Sequence, residues 1–446
     1  MMNEYVISAN QVSDRRLEYT WTPNPFPGAP NSFWVEYPFE VAQVKGLDVF
    51  YPVLPVFQAL GFADSGFHLN SPLLSGTNAR DGQSAFEHVL ANWLDIVERE
   101  AVGNFGKPIR VEADIEGRPF DRRPVASTSQ LKPYPDAALF LGGGGESLLA
   151  LAELLGQSIK PHLISYIGPG WTGSDPIKNE TKVAQDLRVA EDLGLPLHHV
   201  QSNIYGLFAQ MQNDLSKRMV VDAFFANRVP FIPILVSLFA PMTGVYRLGA
   251  VYHGHEKHYE PDITFHCFTK TFTDQLARCF SPVFAYRRIF ADLHKVEVFE
   301  KLCTQHREFL KYQYSCYNNE HERWCHACEK CFRYYILFKL FRVPFGDVGF
   351  NEARMLQFLS TVPEEIFGHV WSDDCSRASY RATLAKAHAQ GNQEAYDFLA
   401  RVIRQAQRFE RTKKAKSIAR RLVPKQVRQL VKRALPSPPT RLTAHR

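Results

Sequence analysis

The stretch Ala137-Ala-Leu-Phe-Leu-Gly-Gly-Gly-Gly-Glu-Ser147 decides the fold of the central part of the chain. It starts with an apolar run of strand length, residues 137–141, and passes through four glycines into a helical pattern at residues 146–155. A strand that turns directly into a helix is the opening unit of a mostly parallel sheet with helices on both faces. The sequence therefore predicts an α/β fold with a Rossmann-like layout.

Short apolar runs and helical patterns continue to alternate after the glycines. The runs predict strands at residues 162–167, 197–201, 231–236 and 246–252, and a helix at residues 180–193. Residues 135–300 are accordingly predicted to form a nucleotide-binding domain.

The residues before this domain have a different pattern. Alternation in Leu17-Glu-Tyr-Thr-Trp21 and Phe33-Trp-Val-Glu-Tyr37 predicts a hairpin, and residues 84–100 have the apolar spacing of an amphipathic helix packed on it. We expect a small β-rich domain at residues 1–130, with a linker at residues 121–135. Residues 301–410 are predicted to be a helical region that ends in a long helix at residues 393–411.

The four glycines also predict a phosphate site. Glycines allow backbone N–H groups to approach an anion closely, and a helix N-terminus adds free donors and a partial positive charge. The alternative interpretation is a tight turn with no ligand. The candidate binding residues, together called the glycine loop, are Gly142, Gly143, Gly144, Gly145, Glu146 and Ser147.

Four of the eight cysteines cluster within sixteen residues, and we call this group the cysteine centre. Its members are Cys316, Cys325, Cys328 and Cys331. Four thiolates at this spacing predict a tetrahedral Zn²⁺ site, and a closed shell of four ligands indicates a structural role. Buried free cysteines are the alternative interpretation, and His326 is a weaker candidate to replace one thiolate.

A second polar cluster, His253-Gly-His-Glu-Lys-His258, follows the predicted strand at residues 246–252. Imidazole and carboxylate groups at a sheet edge are suited to general acid/base catalysis or phosphate contacts. We predict His255, Glu256 and His258 as catalytic residues. A solvated polar loop without a site is the alternative.

The charge of the chain is unevenly distributed. The chain has 446 residues and a net charge of +6, yet residues 411–446 contain twelve Lys or Arg and no acid, so the remainder carries −6. An amphipathic pattern within residues 424–435 could lie on an anionic membrane surface. RNA contact and a solvated tail are the alternatives, and nucleic acid is the less favoured partner.

Composition and the N-terminal residues indicate a soluble, cytoplasmic protein. Hydrophobic residues make up 45% of the chain and charged residues 22%, and residues 1–10 lack a secretory signal pattern. We expect a cytoplasmic location, peripheral at the inner face of the membrane if the basic tail binds lipid.

The glycine loop and the cysteine spacing together resemble the P-P-loop ATP pyrophosphatase superfamily. The cysteine motif is similar to that of 7-cyano-7-deazaguanine synthases. In length and order the chain resembles UDP-N-acetylmuramoyl-L-alanyl-L-glutamate epimerases, which have a similar glycine loop and a late motif like Trp324 to Cys331. The chain differs from the usual loop, Ser-Gly-Gly-x-Asp-Ser, by having Gly142 for the serine and Glu146 for the aspartate.

This resemblance implies an ATP- and Mg²⁺-dependent enzyme that adenylates a carboxylate. It further implies epimerisation of the glutamate in a UDP-N-acetylmuramoyl dipeptide, a sugar-nucleotide substrate of cell-wall precursor synthesis. An amide- or nitrile-forming ligase in polysaccharide or modified-nucleoside synthesis is one alternative. A degenerate P-P-loop protein that binds a nucleotide without turnover is the other.

Overall fold

The computed structural model describes most of the chain. The described residues are 3–24, 26, 28–56, 65–70, 80–105, 112–115, 118–119, 134–168, 176–208, 210–211, 231–257, 270–314, 316, 323–361, 363–370 and 374–422. These residues form two compact units, which divide at Glu352 and Ala353. Residues 121–133 of the predicted linker, His258 and the amphipathic segment at residues 424–435 lie outside them.

The described strands all belong to the first unit. In chain order they are β1 Asn3–Ser13, β2 Arg16–Thr22, β3 Ser32–Glu36, β4 Ser65–Asn70, β5 Glu112–Ile115, β6 Arg118–Pro119, β7 Asp136–Phe140, β8 His162–Ile167, β9 Leu197–Ser202, β10 Leu248–Gly254 and β11 Ala285–Ile289.

The principal α-helices are distributed over both units. They are α1 Arg80–Phe105, α2 Gly145–Gly156, α3 Pro176–Leu193, α4 Phe231–Tyr246, α5 Lys270–Phe280, α6 Lys295–Gln305, α7 Glu329–Leu340, α8 Glu352–Thr361, α9 Pro363–Val370, α10 Asp374–Ala389 and α11 Gln393–Leu422. Among the described residues, every helix is too short or too polar to cross a bilayer.

One mixed sheet joins the 11 described strands, in the order β11-β10-β7-β8-β9-β3-β2-β1-β4-β5-β6. The part from β11 to β9 is entirely parallel, and β3 joins it by antiparallel pairing with β9. The protein is therefore α/β, as predicted. The β-rich N-terminal segment continues the same sheet. The compact units divide after residue 352, whereas the predicted domain boundaries were at residues 130, 300 and 410.

The hairpin prediction and the first helix prediction are confirmed. Strands β2 and β3 pair antiparallel with Leu17 opposite Val35, and the Tyr19 ring stacks on Phe33 at 4.6 Å between centroids. Helix α1 buries Phe86 and Trp93 in the same core as these strands. The apolar face of the helix therefore stabilises the sheet by removing aromatic surface from water.

The predicted strand at residues 231–236 is wrong, because these residues begin α4. Twelve consecutive residues of this helix, from Ile232 to Thr243, are buried. A helix buried on all sides has no polar face, so its sequence lacks the 3.6-residue periodicity that separates a helix from a buried strand. The following strand, predicted at residues 246–252, lies at Leu248–Gly254.

The second unit, Ala353–Arg446, is helical in its described part. Helices α9 and α10 both pack against α11. The prediction of a long helix at residues 393–411 is confirmed, and the helix extends to Leu422. It contains the first third of the basic tail.

Candidate functional site

The sheet changes its direction of growth between β7 and β10. From β7 the chain adds β8 and β9 on one side, and it then returns to add β10 and β11 on the other side. Because β7 and β10 are parallel neighbours, their carboxyl ends lie side by side. Open α/β sheets bind ligands in the crevice at such a switch point. The glycine loop follows β7 and the segment 255–257 follows β10, so both predicted segments line this crevice.

The glycine loop leads into an uncapped helix. Gly144 is the N-cap of α2, and it has no side chain to satisfy the free N–H groups of the first turn. The Gly145 N–H donates to the Tyr334 hydroxyl at 3.4 Å, and the Ser147 hydroxyl donates to the Gly144 carbonyl at 3.0 Å. These two donors are used within the protein, and the start of the helix keeps a partial positive charge that suits an anion.

Two glycines at the crevice are required by close contacts. Gly143 has φ +71°, and a Cβ there would lie 2.5 Å from Cε1 and Cε2 of Tyr314. A Cβ at Gly254 would overlap the backbone of Glu146 and lie 2.6 Å from its carbonyl carbon. At Gly142, by contrast, a Cβ would have open space. The end of β10 thus touches the start of α2 backbone to backbone, which brings the two segments into one site.

Two carboxylates and one ammonium meet in the crevice. The Lys295 ammonium, in the first turn of α6, contacts Glu146 Oε1 directly and lies 3.3 Å from Glu256 Oε1. Between 14% and 17% of each of these three side chains is exposed. Lys295 could not be identified from the sequence, because a single lysine in a helical pattern carries no motif.

The pKa values of the two carboxyl groups shift in opposite directions. Burial raises the pKa of Glu146, and the Glu256 carboxylate raises it further against the effect of Lys295. Burial would also raise the pKa of Glu256, but Lys295 and the hydrogen bond with Glu146 hold it below its usual range. Burial would lower the pKa of Lys295, yet the two acids hold it well above its usual range. The two carboxyl groups therefore differ in acidity, with the pKa of Glu146 above and that of Glu256 below the usual range, and Lys295 is charged.

The histidines of the segment lie beside this trio. The His253 Nδ1 lies 2.8 Å from the Tyr286 hydroxyl, and burial followed by repulsion from Arg288 lowers the pKa of His253 to about 4. Its ring is neutral at pH 7. His255 is buried and stacks on His253, with 5.2 Å between the ring centroids and 5° between the planes. His258 lies outside the described residues.

A buried hydrogen-bond network supports the loop from the other side. Asp186, on α3, is fully buried and accepts from the Ser165 hydroxyl at 2.6 Å and from the Tyr314 hydroxyl. Its remaining partners are the Lys182 ammonium at 3.1 Å and His199 Nε2 at 3.2 Å. Burial alone would raise the pKa of Asp186, but Lys182 and these hydrogen bonds lower it. Asp186 thus fixes the Tyr314 ring that covers Gly143.

The cysteine centre has the geometry of a metal site. The four Sγ atoms all lie within 4.8 Å of one another, and three of the separations are 3.6, 3.7 and 3.9 Å. A tetrahedron of sulfur ligands around zinc has edges of about 3.8 Å, from Zn–S bonds of about 2.3 Å. Backbone N–H groups point at three of the sulfurs, at 3.3 to 3.4 Å. The four cysteines lie close enough to hold a metal ion such as zinc.

His326 forms a hydrogen bond in the turn of the cysteine centre, which differs from the metal-ligand role considered for it. It occupies the turn between Cys325 and Cys328 with φ +58°, and its buried Nε2 accepts from the Asn351 backbone N–H at 2.8 Å. Its ring packs edge-on against Phe350 at 4.7 Å between centroids. The imidazole therefore ties the cysteine turn to residues 350 and 351.

No protein-family model and no curated protein matches this chain. The assignment to the P-P-loop superfamily therefore stays a prediction.

Proposed function

We propose that the chain is an ATP-dependent enzyme of the P-P-loop type that adenylates a carboxylate and then moves a proton at the adjacent carbon. The observation that carries this proposal is the position of the glycine loop and of Glu256 on the two strands, β7 and β10, that flank the switch point. Two segments more than a hundred residues apart in sequence thereby form one crevice. Within it, the start of α2 would bind an anion, and Glu146 and Glu256 would act as an acid/base pair.

The glycine loop would hold the phosphates of ATP. The N-cap of the helix is a glycine, and the first N–H groups of a helix, here those of Glu146 and Ser147, have no partner within the helix. A basic side chain, Lys295, lies at the same end of α2. These features suit an anion of high charge. Attack of a substrate carboxylate on the α-phosphorus would give an acyl adenylate and release pyrophosphate at the loop.

The residues present do not fit a Mg²⁺ ion held by the protein. Mg²⁺ prefers ionised carboxylates, whereas the pKa of Glu146 is raised and the Lys295 ammonium already lies against both acids. Lys295 therefore supplies the positive charge at this position.

The paired acids are suited to proton transfer. Two carboxyl groups whose environments push their pKa values apart divide naturally into a base and an acid. Glu256, whose pKa is lowered, would take the proton from the carbon next to the activated carboxyl, and Glu146, whose pKa is raised, would return one. Because the two acids are hydrogen-bonded to each other, inversion requires that the deprotonated carbon present its opposite face to Glu146. This outcome is the epimerisation that the family resemblance implies, with a UDP-N-acetylmuramoyl dipeptide as the substrate.

The histidines receive a supporting role in this proposal. His255 is buried against the neutral His253 ring, so it would orient the segment that carries Glu256. The predicted direct catalytic roles of His255 and His258 stay predictions. For the cysteine centre we propose a structural zinc ion, on the basis of the sulfur separations.

One observation favours a second candidate, a nucleotide-binding protein without turnover. The Lys295 ammonium is paired with both acids in the crevice, and a protein that never activates a carboxylate would have no need to keep Glu256 free. The two candidates differ in whether pyrophosphate is released.

Pyrophosphate release separates them. The protein with ATP, Mg²⁺ and a panel of carboxylates, including the muramoyl dipeptide, should release pyrophosphate with at least one acid. Lys295→Met should impair release, whereas Lys301→Met, which removes a similar pair between α6 and α2 at Glu153, should not. ATP binding with no release for any acid would favour the binding protein, and no ATP binding would contradict both candidates.

A further inference from the structure

The chain segment that precedes the cysteine centre contacts the glycine loop. The Gly143 carbonyl accepts two hydrogen bonds, from the Tyr314 backbone N–H at 3.1 Å and from Gln313 Nε2 at 3.2 Å. The Tyr314 ring lies against the Cα of Gly143, and its hydroxyl is bound to Asp186. One residue separates Tyr314 from Cys316, so a metal ion that fixes Cys316 also fixes this contact.

The segment that follows the centre contacts the same loop. Cys328 is the N-cap of α7, and Cys331 lies in its first turn. Tyr334, three residues after Cys331 and therefore on the same face of the helix, accepts from the Gly145 N–H. The metal site thus holds the end of the helix from which Tyr334 reaches the loop.

Aromatic packing joins these two routes. The Trp324 ring, adjacent to Cys325, packs against the Tyr334 ring at 5.3 Å between centroids. Tyr334 in turn packs on Phe299 of α6 at 5.8 Å, and a Cβ at Gly145 would meet Phe299 at 3.2 Å. The contacts from the cysteines to Gly143 and Gly145 are therefore continuous, through neighbouring residues of the chain and through packed aromatic rings.

We propose that the cysteine centre fixes the conformation of the glycine loop, so that metal bound at the cysteines is required for anion binding in the crevice. Tyr314 and Tyr334 are the positioning residues. A structural metal contributes folding free energy directly, and the N–H···S contacts to three of the sulfurs are weak in comparison. Loss or oxidation of the thiols would then loosen the loop. The nature of the anion, pyrophosphate, rests on the proposed function.

Hydrogen exchange of the full chain tests this coupling without any ligand. Removal of the metal with a chelator should speed exchange in peptides covering residues 141–149 by about tenfold or more. Exchange in the β1–β2 hairpin, residues 3–22, should stay unchanged. Faster exchange at residues 323–331 with an unchanged loop would overturn the proposal. If the hairpin also exchanges faster, the metal-free chain has unfolded more widely, and the variants below decide.

Two matched variants keep all four cysteines. Tyr334→Phe removes the hydroxyl that accepts from Gly145, and Tyr335→Phe removes the neighbouring hydroxyl, which donates to Glu352 at 2.9 Å. With metal bound, Tyr334→Phe should speed loop exchange and weaken pyrophosphate binding by about two- to tenfold, the range for one hydrogen bond. Tyr335→Phe should leave both unchanged. Equal loop exchange in the two variants would overturn the coupling.

Pyrophosphate binding by the metal-loaded wild type is read separately, by calorimetry. If it does not bind, the proposed function is contradicted, while loop exchange still decides whether the cysteine centre positions the loop.

Discussion

Gly143→Ala is the substitution for which the structure gives the clearest magnitude. A residue with a side chain at φ +71° pays about 1–2 kcal/mol for the left-handed conformation. The new Cβ would also lie 2.5 Å from two carbons of the Tyr314 ring. The ring cannot move aside freely, because the Tyr314 hydroxyl is bound to Asp186 and the Tyr314 backbone N–H donates to the Gly143 carbonyl. Overpacking of this kind costs about 1–3 kcal/mol, so the total is about 2–5 kcal/mol.

Gly142→Ala is the matched control. The chemical change is identical and one residue away, but a Cβ at Gly142 meets no heavy atom within 4 Å. Its effect on the free energy of unfolding should stay within about 1 kcal/mol. The difference between the two variants therefore isolates the contact between Gly143 and Tyr314.

Urea denaturation followed by tryptophan fluorescence is a suitable assay, because Trp21, Trp93 and Trp324 are all buried in the first compact unit. Calorimetry with ATP gives a second readout, since a displaced Tyr314 would disturb the loop. Gly143→Ala should lose stability and ATP affinity together. Equal unfolding free energies for the two alanine variants would refute the reasoning that Tyr314 is locked against the loop.

Three further perturbations follow from the described contacts. Cys328→Ser should lower bound zinc from about one ion per chain to near zero by metal analysis. Cys303→Ser, at a buried cysteine outside the centre, should leave bound zinc unchanged. Unchanged zinc in Cys328→Ser would contradict the site. Asp186→Asn should cost about 3–5 kcal/mol at pH 7, because it leaves Lys182 without its buried partner. Since the pKa of Asp186 is lowered in the folded state, its contribution is fully present above about pH 4 and declines as the pH falls toward that lowered pKa. The difference between the two proteins in urea denaturation should therefore shrink below about pH 4, and a constant difference would argue against an ionised Asp186. Lys295→Met should raise the pKa of Glu256, so the pH at which proton exchange reaches half its maximum should move upward; an unmoved profile would exclude Glu256 as the titrating base.

The regular elements around the loop could be predicted because their signals are local. Strand β8 and the end of α3 match the predicted bounds, since each has a clear pattern bounded by turn residues. Strand β1 also carried a readable alternation, with Tyr5, Ile7 and Ala9 buried, that the sequence analysis did not use. Helix α4 had no such signal because it is buried on all sides.

The joining of the β-rich segment to the parallel sheet could not be predicted from local patterns. It depends on pairing of Val35 with Ser202 and of Glu36 with Gln201, between strands separated by some 160 residues. The positions of Lys295 and Tyr314 in the site could not be predicted for the same reason. Each acts through residues distant in sequence, so only the folded chain shows that they meet Glu146 and Gly143.

Solvent proton exchange tests the central claim most directly. The protein should be incubated in heavy water with ATP, Mg²⁺ and the proposed substrate, UDP-N-acetylmuramoyl L-alanyl-L-glutamate. Deuterium at the glutamate α-carbon should be measured by mass spectrometry. The account predicts incorporation that requires ATP, because adenylation acidifies this carbon. Glu256→Gln should reduce it by about 10²- to 10⁴-fold, the range for general acid/base groups, while Glu153→Gln, on the same helix as Glu146, should not. Incorporation without ATP, or unimpaired incorporation in Glu256→Gln, would contradict the account.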